Sequence, residues 1–174
     1  MTDPGPGRRP PPAPVPWVTM ATRTSAGILL YRRRDGLELL LAHPGGPLFA
    51  KRDDGSWSIP KGEPEHSAEP LLEVARREFT EETGNPVPDG PVIGLGSIVQ
   101  KGGKVVHAWA VEGDLDPTLA RSNEFVVEWP PRSGRRQTFP EIDRVEWFEP
   151  AEARRRVKGT QIPFIDRLEE ALRP

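Results

Sequence analysis

The sequence predicts an α+β domain: a mixed sheet with helices packed on its faces. Three observations carry that class. Short apolar runs of strand length recur along the chain, several of them joined by turn-type residues. The strongest helical periodicity lies in one segment that ends at Gly84. Strands and helices mix without the regular alternation of a parallel α/β fold.

The elements follow in chain order. "MTDPGPGRRPPPAPVPW" opens the sequence, and seven of its first 16 residues are Pro. Missing N–H groups and fixed φ exclude helix and central strand there. Residues 1–22 are expected to be a disordered or polyproline-like tail, with a ligand for a proline-binding domain as the functional alternative. Met20, just before the first folded segment, is a candidate start. Residues 23–174 form the expected domain. "TSAGILLYRRR" and "LELLLAH" flank the turn signal "RDG" and predict a hairpin, Ser25–Arg33 with Leu37–His43. After the loop "PGGPLFAKRDDGS", "WSIP" reads as a short strand stopped by Pro60, and "KGEPEHSA" as a loop. A helix is predicted from about Glu69 or Pro70 to Thr83, with Pro in its first turn and Gly84 as its stop. "PVIGLGSIVQ" and "KVVHAWAVEG" are strands joined at "KGGK"; "EFVVEW" and "VEWF" are further strands. "PPRSGRRQTFP" between them reads as a basic loop, and "PAEARRRV" and "PFIDRLEEAL" as two terminal helices.

Composition narrows the chemistry. A chain of 174 residues is long enough for one real core. There are no cysteines, so disulfides, thiolate nucleophiles and Cys-type zinc sites are excluded. Lys and Arg number 24 against 26 Asp and Glu, a net charge of −2 that argues against broad electrostatic binding to nucleic acid. No apolar run approaches membrane-spanning length, and the Pro-rich start lacks a secretory h-region. The default expectation is a soluble cytoplasmic protein.

The helix ending at Gly84 raises a chemical question, because "REFTEETG" holds Glu78, Glu81 and Glu82. With Leu71 at the origin and about 100° per residue, Ala75, Phe79, Leu72 and Val74 define an apolar stripe. Glu82 falls at about 20° and Glu78 at about −20°, within that stripe, while Glu81 at about −80° lies on its edge beside Arg77. Two carboxylates one turn apart on a sheet-facing stripe repel each other and lose hydration. The spacing leaves two readings open. One is a charge-rich helix with solvated pairs such as Arg77–Glu81. The other is a site for a hard divalent cation, Mg²⁺ or Mn²⁺, which supplies the missing positive charge and prefers oxygen ligands.

"GEPEHSAEPLLEVARREFTEETGN" resembles the signature of the Nudix hydrolases through Glu69, then Arg77, Glu78, Glu81, Glu82 and Gly84. Six residues separate Gly62 from Glu69, where the family usually has five, and Asn85 stands where an aliphatic residue is usual. "TSAGILLYR", "HPGGP", "GSWSIPKGE", "FPEIDRVEWF" and "PFIDRLEEAL" are similar to a bacterial subgroup described as NTP pyrophosphohydrolases, so the likeness spans about residues 24–172. The resemblance implies an α/β/α sandwich with a loop–helix–loop catalytic box. It implies a divalent-metal-dependent hydrolase that cuts a phosphoanhydride in a nucleoside diphosphate linked to another group. Nucleoside triphosphates and dinucleoside polyphosphates are favoured, with ADP-ribose as a further candidate. A non-catalytic nucleotide-sensing module is the alternative, and it usually loses box glutamates. A nucleic-acid module using "PPRSGRRQ" is weakened by the absence of a basic stripe.

By the same resemblance, Glu78, Glu81 and Glu82 are the expected metal ligands, joined by the carbonyl of Gly62 or of Lys61. Glu78 is the candidate for water activation, Arg77 orients it, and Glu69 anchors the loop. Glu141 is a candidate acid from outside the box. Lys61, Arg132, Arg135 and Arg136 are candidate phosphate contacts, and His43 and His107 are expected to be structural. Of the Trp residues, Trp57, Trp109, Trp129 and Trp147 are expected mainly to pack the sheet, one of them being free to stack on a base. Dimers are common for this fold, so a homodimer is an expectation.

Overall fold

The computed structural model describes residues 22–174. The expectations for the Pro-rich tail and for Met20 therefore lie outside the described residues, Thr22 excepted.

Strand β1 (Thr24–Arg33) is the axis of the fold. Eight residues of it pair in parallel with β5 (Val105–Glu112), from Thr24↔Val105 to Tyr31↔Glu112. Its other edge is shared. The C-terminal end pairs antiparallel with β2 (Leu37–Pro44), and the N-terminal part with the two-residue β3 (Lys61–Gly62) at Ala26↔Gly62 and Gly27↔Lys61. β4 (Val92–Val99) closes the far side antiparallel to β5, and β8 (Ile142–Phe148) lies antiparallel to β2. The resulting order is β4-β5-β1-β2-β8, a mixed sheet as predicted.

Side chains along β1 alternate between two apolar layers, as a pleated strand requires. Ala26, Ile28 and Leu30 meet Val74, Ala75 and Phe79 of α1 (Leu71–Thr83). Leu29 and Tyr31 meet Trp57, Ile59 and the Phe164, Ile165 and Leu168 face of α3 (Ile162–Ala171), with Ala153 of α2 (Pro150–Arg156). Burial on both faces explains why β1 reads as a continuous apolar run rather than an alternating one. Truncating Phe79, which is 0% exposed, is expected to cost about 3–5 kcal/mol of unfolding free energy in urea titrations.

α1 begins and ends where its sequence signals stand. Pro70 is the N-cap, in an extended conformation, and Gly84 adopts φ 72°, sending its N–H back to the Thr80 carbonyl.

Three expectations need correction. "WSIP" makes only isolated bridges, Trp57 to Val157 and Ser58 to Ala42, and the regular pairing is delayed to Lys61–Gly62. Side-chain burial holds that segment instead: Trp57 is 1% exposed, donates its indole N–H to Asp53 and packs edge-on against His43 and Phe148. The basic loop is a hairpin in its latter half. β6 (Glu124–Glu128) pairs with β7 (Arg136–Pro140) as a separate two-stranded sheet. Arg136, Gln137 and Thr138 are all exposed, so this ribbon carries no apolar alternation to announce it. "VEWF", finally, is the end of the seven-residue β8.

Candidate active site

Pairing of β3 with β1 carries Gly62 to the face of the sheet that α1 covers. Gly27 permits the approach, since a Cβ there would stand 2.5 Å from the Pro60 carbonyl oxygen and 2.6 Å from Lys61 Cβ. Gly62 in turn lies against Glu78: a Cβ on it would sit 2.0 Å from the Glu78 carboxyl carbon. The Glu78 side chain is 14% exposed and that of Glu81 is 37% exposed, which agrees with the helical wheel. Glu82 is half-buried and accepts the Lys61 backbone N–H at 3.1 Å.

Arg77 organises the carboxylates and the preceding loop. It donates to Glu78 at 2.7 Å, to Glu69 at 3.0 and 3.3 Å, and to the Glu63 carbonyl at 3.0 Å, with Glu81 at 3.4 Å. Glu69 also accepts the Glu65 N–H at 2.8 Å, closing the loop. These bonds, first to Glu69 and then to Glu78, raise the Arg77 pKa above its ordinary value and lower that of Glu69.

Glu141 arrives through the backbone. Its N–H donates to the Asn123 carbonyl at 2.8 Å, and the Asn123 N–H donates to the carbonyl of Glu81 at 3.2 Å. The exposed Glu141 thus lies near the end of α1, and its charge helps push Glu78 and Glu82 upward. The dominant cause for both is burial, which raises Glu78 and takes Glu82 to about 8, with repulsion from Glu81 added at Glu78 and from Glu78 added at Glu82.

Opposite these acids stand three lysines from three elements. Burial, then Lys158 and Lys104, lower Lys61 to about 8. Burial and Lys104 also lower Lys158, which is anchored by its backbone N–H to the Trp57 carbonyl at 2.8 Å. Lys104 bonds Glu63 at 2.8 Å. Neither Lys104 nor Lys158 was singled out from the sequence. They lie far from the box, and no spacing rule links a hairpin turn to a position two residues beyond α2.

Not every expected residue is gathered here. Arg136 stands at the far end of β7, five residues from Glu141 and so about 17 Å along an extended chain. Arg132 and Arg135 lie in the adjoining hairpin turn, exposed like Arg136 and away from the box carboxylates. His43 is buried, with its ring nitrogens 2.8 Å from Asp143 and 2.6 Å from the Arg52 carbonyl, so it ties the Gly45–Ser56 loop to β8. His107 is half-buried on β5.

The donor set suits a hard divalent cation. It offers carboxylate oxygens from one helix face and a backbone brought against Glu78 where a side chain would intrude. Among the described residues no three His, Asp or Glu side chains converge as a ready-made cluster; Arg77 bonds Glu78 and the Lys61 N–H bonds Glu82.

A sequence model of the NUDIX domain matches residues 21–168, most of the chain. The chain belongs to the Nudix family. With its box carboxylates present it is a pyrophosphohydrolase of that family. No curated protein matches it. Solved structures share the Nudix fold at low identity. An Ap4A hydrolase from C. elegans, in a binary complex, has a TM-score of 0.56 at 19% identity, covering 86% of this chain and 97% of that one. The NUDIX domain of Shewanella oneidensis NrtR, complexed with ADP ribose, has a TM-score of 0.58 at 16% identity, covering 91% and 94%. A mutT/nudix family protein from Listeria innocua has a TM-score of 0.55 at 17% identity, covering 86% and 93%.

The titrations of this Nudix site predict a pH signature. Native Glu82 keeps a proton that the unfolded chain gives up from about 4.5 upward, so its contribution to stability declines as pH rises toward about 8. Lys61 acts in the opposite sense: depressed to about 8 from 10.5, it restores stability as pH climbs from about 8. Denaturant titrations of EDTA-treated protein are expected to show falling stability from pH 5 to 8. Added Mg²⁺ should restore more of it at pH 8 than at pH 5.

Proposed function

We propose that this Nudix hydrolase cleaves a phosphoanhydride in a nucleoside diphosphate derivative, with Mg²⁺ or Mn²⁺ as cofactor. Nucleoside triphosphates and dinucleoside polyphosphates are favoured over ADP-ribose. The observation that carries the reading is the pair of half-buried carboxylates, Glu78 and Glu82, beside Gly62 and facing three lysines. Such a site is electrostatically incomplete in both halves. It calls for a cation among the acids and an anion among the ammoniums.

In this reading Glu78 and Glu82 hold the metal, with Glu81 and the Gly62 or Lys61 carbonyl as further oxygen donors. An ion held by these residues would lower the pKa of a water and neutralise charge on the scissile phosphate. Glu78, oriented by Arg77, accepts the proton of the attacking water. Glu141 stands ready as a second acid or ligand. Lys61 and Lys158 meet phosphate oxygens, each exchanging a costly half-buried ammonium for a charge-assisted hydrogen bond. The hairpin arginines Arg132, Arg135 and Arg136 are kept for phosphates or groups remote from the bond that breaks.

A panel of ATP, GTP, Ap4A and ADP-ribose, each with Mg²⁺, Mn²⁺ or EDTA, tests the reading. Metal-dependent release of monophosphate or pyrophosphate products is expected from at least one. Binding without turnover of any of them would favour the sensing alternative. Lys158→Ala is expected to raise KM about tenfold with a smaller effect on kcat, as measured by initial rates on the best substrate.

A further inference from the structure

A cavity of about 350 Å³ lies between the Gly45–Phe49 turn and the β6–β7 hairpin, outside the cluster of acids and lysines. Phe49, Phe125 and Trp129 line it with Leu48, Val127 and Glu128, so its walls are mostly apolar and partly aromatic, with one acidic residue among them. Leu48 is 67% exposed at its mouth, a large apolar side chain left in water. Gly46 is required on its floor: its φ is 87°, and a Cβ there would stand 2.8 Å from the Phe125 ring.

The geometry points to this cavity as the pocket for the nucleobase of the substrate, an assignment that rests on the phosphoanhydride reading for where the phosphates run. Three features select a base over other occupants. The cavity is narrow and concave, of a size for one small ligand rather than for a protein surface. Its aromatic walls offer faces for a planar ring, and stacking tolerates any base because every base has a π-face. Backbone hydrogen bonds also tie it to the candidate active site. Gly45, at its inner end, donates its N–H to the Glu141 carbonyl at 2.8 Å, and Glu141 is joined through Asn123 to Glu81 on α1. A nucleotide seated here directs its phosphates toward the carboxylates and lysines. Two arginines lie close to its lining residues. The Arg52 guanidinium lies 5.9 Å from the Phe49 ring centroid, and Arg132 follows Pro131 in the hairpin turn.

The test is calorimetric titration of the full chain with the 5′-monophosphates of adenosine, guanosine, cytidine and uridine, and with inorganic pyrophosphate. Wild type is compared with Phe49→Ala and with Leu48→Arg, the second placed at an exposed position that the fold tolerates. At least one nucleoside monophosphate is expected to bind, with affinity about 5- to 100-fold weaker in both variants, while pyrophosphate binds all three proteins equally. The proposal is overturned if none of the four binds wild type at millimolar concentration, or if both folded variants bind as wild type does. It is also overturned if Leu48→Arg turns a dimer into a monomer in sedimentation with nucleotide affinity unchanged, which would make the cavity a contact between two copies. Base-dependent binding without metal-dependent cleavage of the substrate panel would retain the pocket and remove the catalytic reading. Cleavage with affinity indifferent to these substitutions would do the reverse.

Discussion

Glu78→Gln and Glu82→Gln are each expected to lower kcat by about 10²–10⁴-fold in Mg²⁺ while leaving the fold intact. The amide is nearly isosteric with the carboxylate, so packing against Gly62 and the bond to the Lys61 N–H survive in outline. On the proposed reading, what disappears is the negative charge that would bind a cation and, at Glu78, the base that would take a proton from water. The metal-free variants should be at least as resistant to denaturant as wild type at pH 8, because burial and mutual repulsion already oppose both charges. Two measurements decide it: steady-state rates on the best panel substrate, and denaturation in EDTA. Full activity in both variants would remove the acids from the reaction. Lost activity with an unfolded spectrum would reduce them to structural groups.

Gly62→Ala is expected to cost about 10²-fold in kcat with little loss of stability. The added methyl meets the Glu78 carboxylate at 2.0–2.4 Å, a flexible side-chain end that swings aside at low cost in folding energy. Swinging aside breaks its 2.7 Å bond to Arg77 and misplaces the carboxylate proposed to activate water. The opposite behaviour belongs to Gly45→Ala, where the new atom would meet the Pro140 backbone oxygen at 2.0 Å and the chain itself must shift. Thermal melts alongside initial rates separate the two. A Gly62→Ala protein with wild-type kcat would show that contact with Gly62 does not set the working position of Glu78.

The sequence was informative wherever one local rule governed the outcome. Gly84 had to stop α1 because it adopts a left-handed conformation, and the run from Ile28 to Tyr31 had to lie at the centre because both faces are apolar. The half-burial of Glu78 and Glu82 followed from helical spacing alone. What stayed hidden depends on tertiary position. Trp57 is held by burial rather than by a ladder, so its β-rich neighbourhood misled. β7 is solvated along most of its length, so its pairing leaves no periodic trace. Lys158 and Lys104 look like ordinary surface lysines until the fold sets them opposite Lys61. The pocket around Phe49 and Trp129 is likewise assembled from two segments, each of which reads by itself as a loop or a short strand.

The ladder of backbone hydrogen bonds from Glu81 through Asn123 and Glu141 to Gly45 has a consequence for how the enzyme comes into being. Its rungs join positions that emerge early in synthesis to positions that emerge late. The acidic helix leaves the ribosome well before the residues that fix its far end. Loop closure over such separations is slow compared with helix formation, so a nascent or truncated chain ending before residue 140 would carry the signature motif without a working centre.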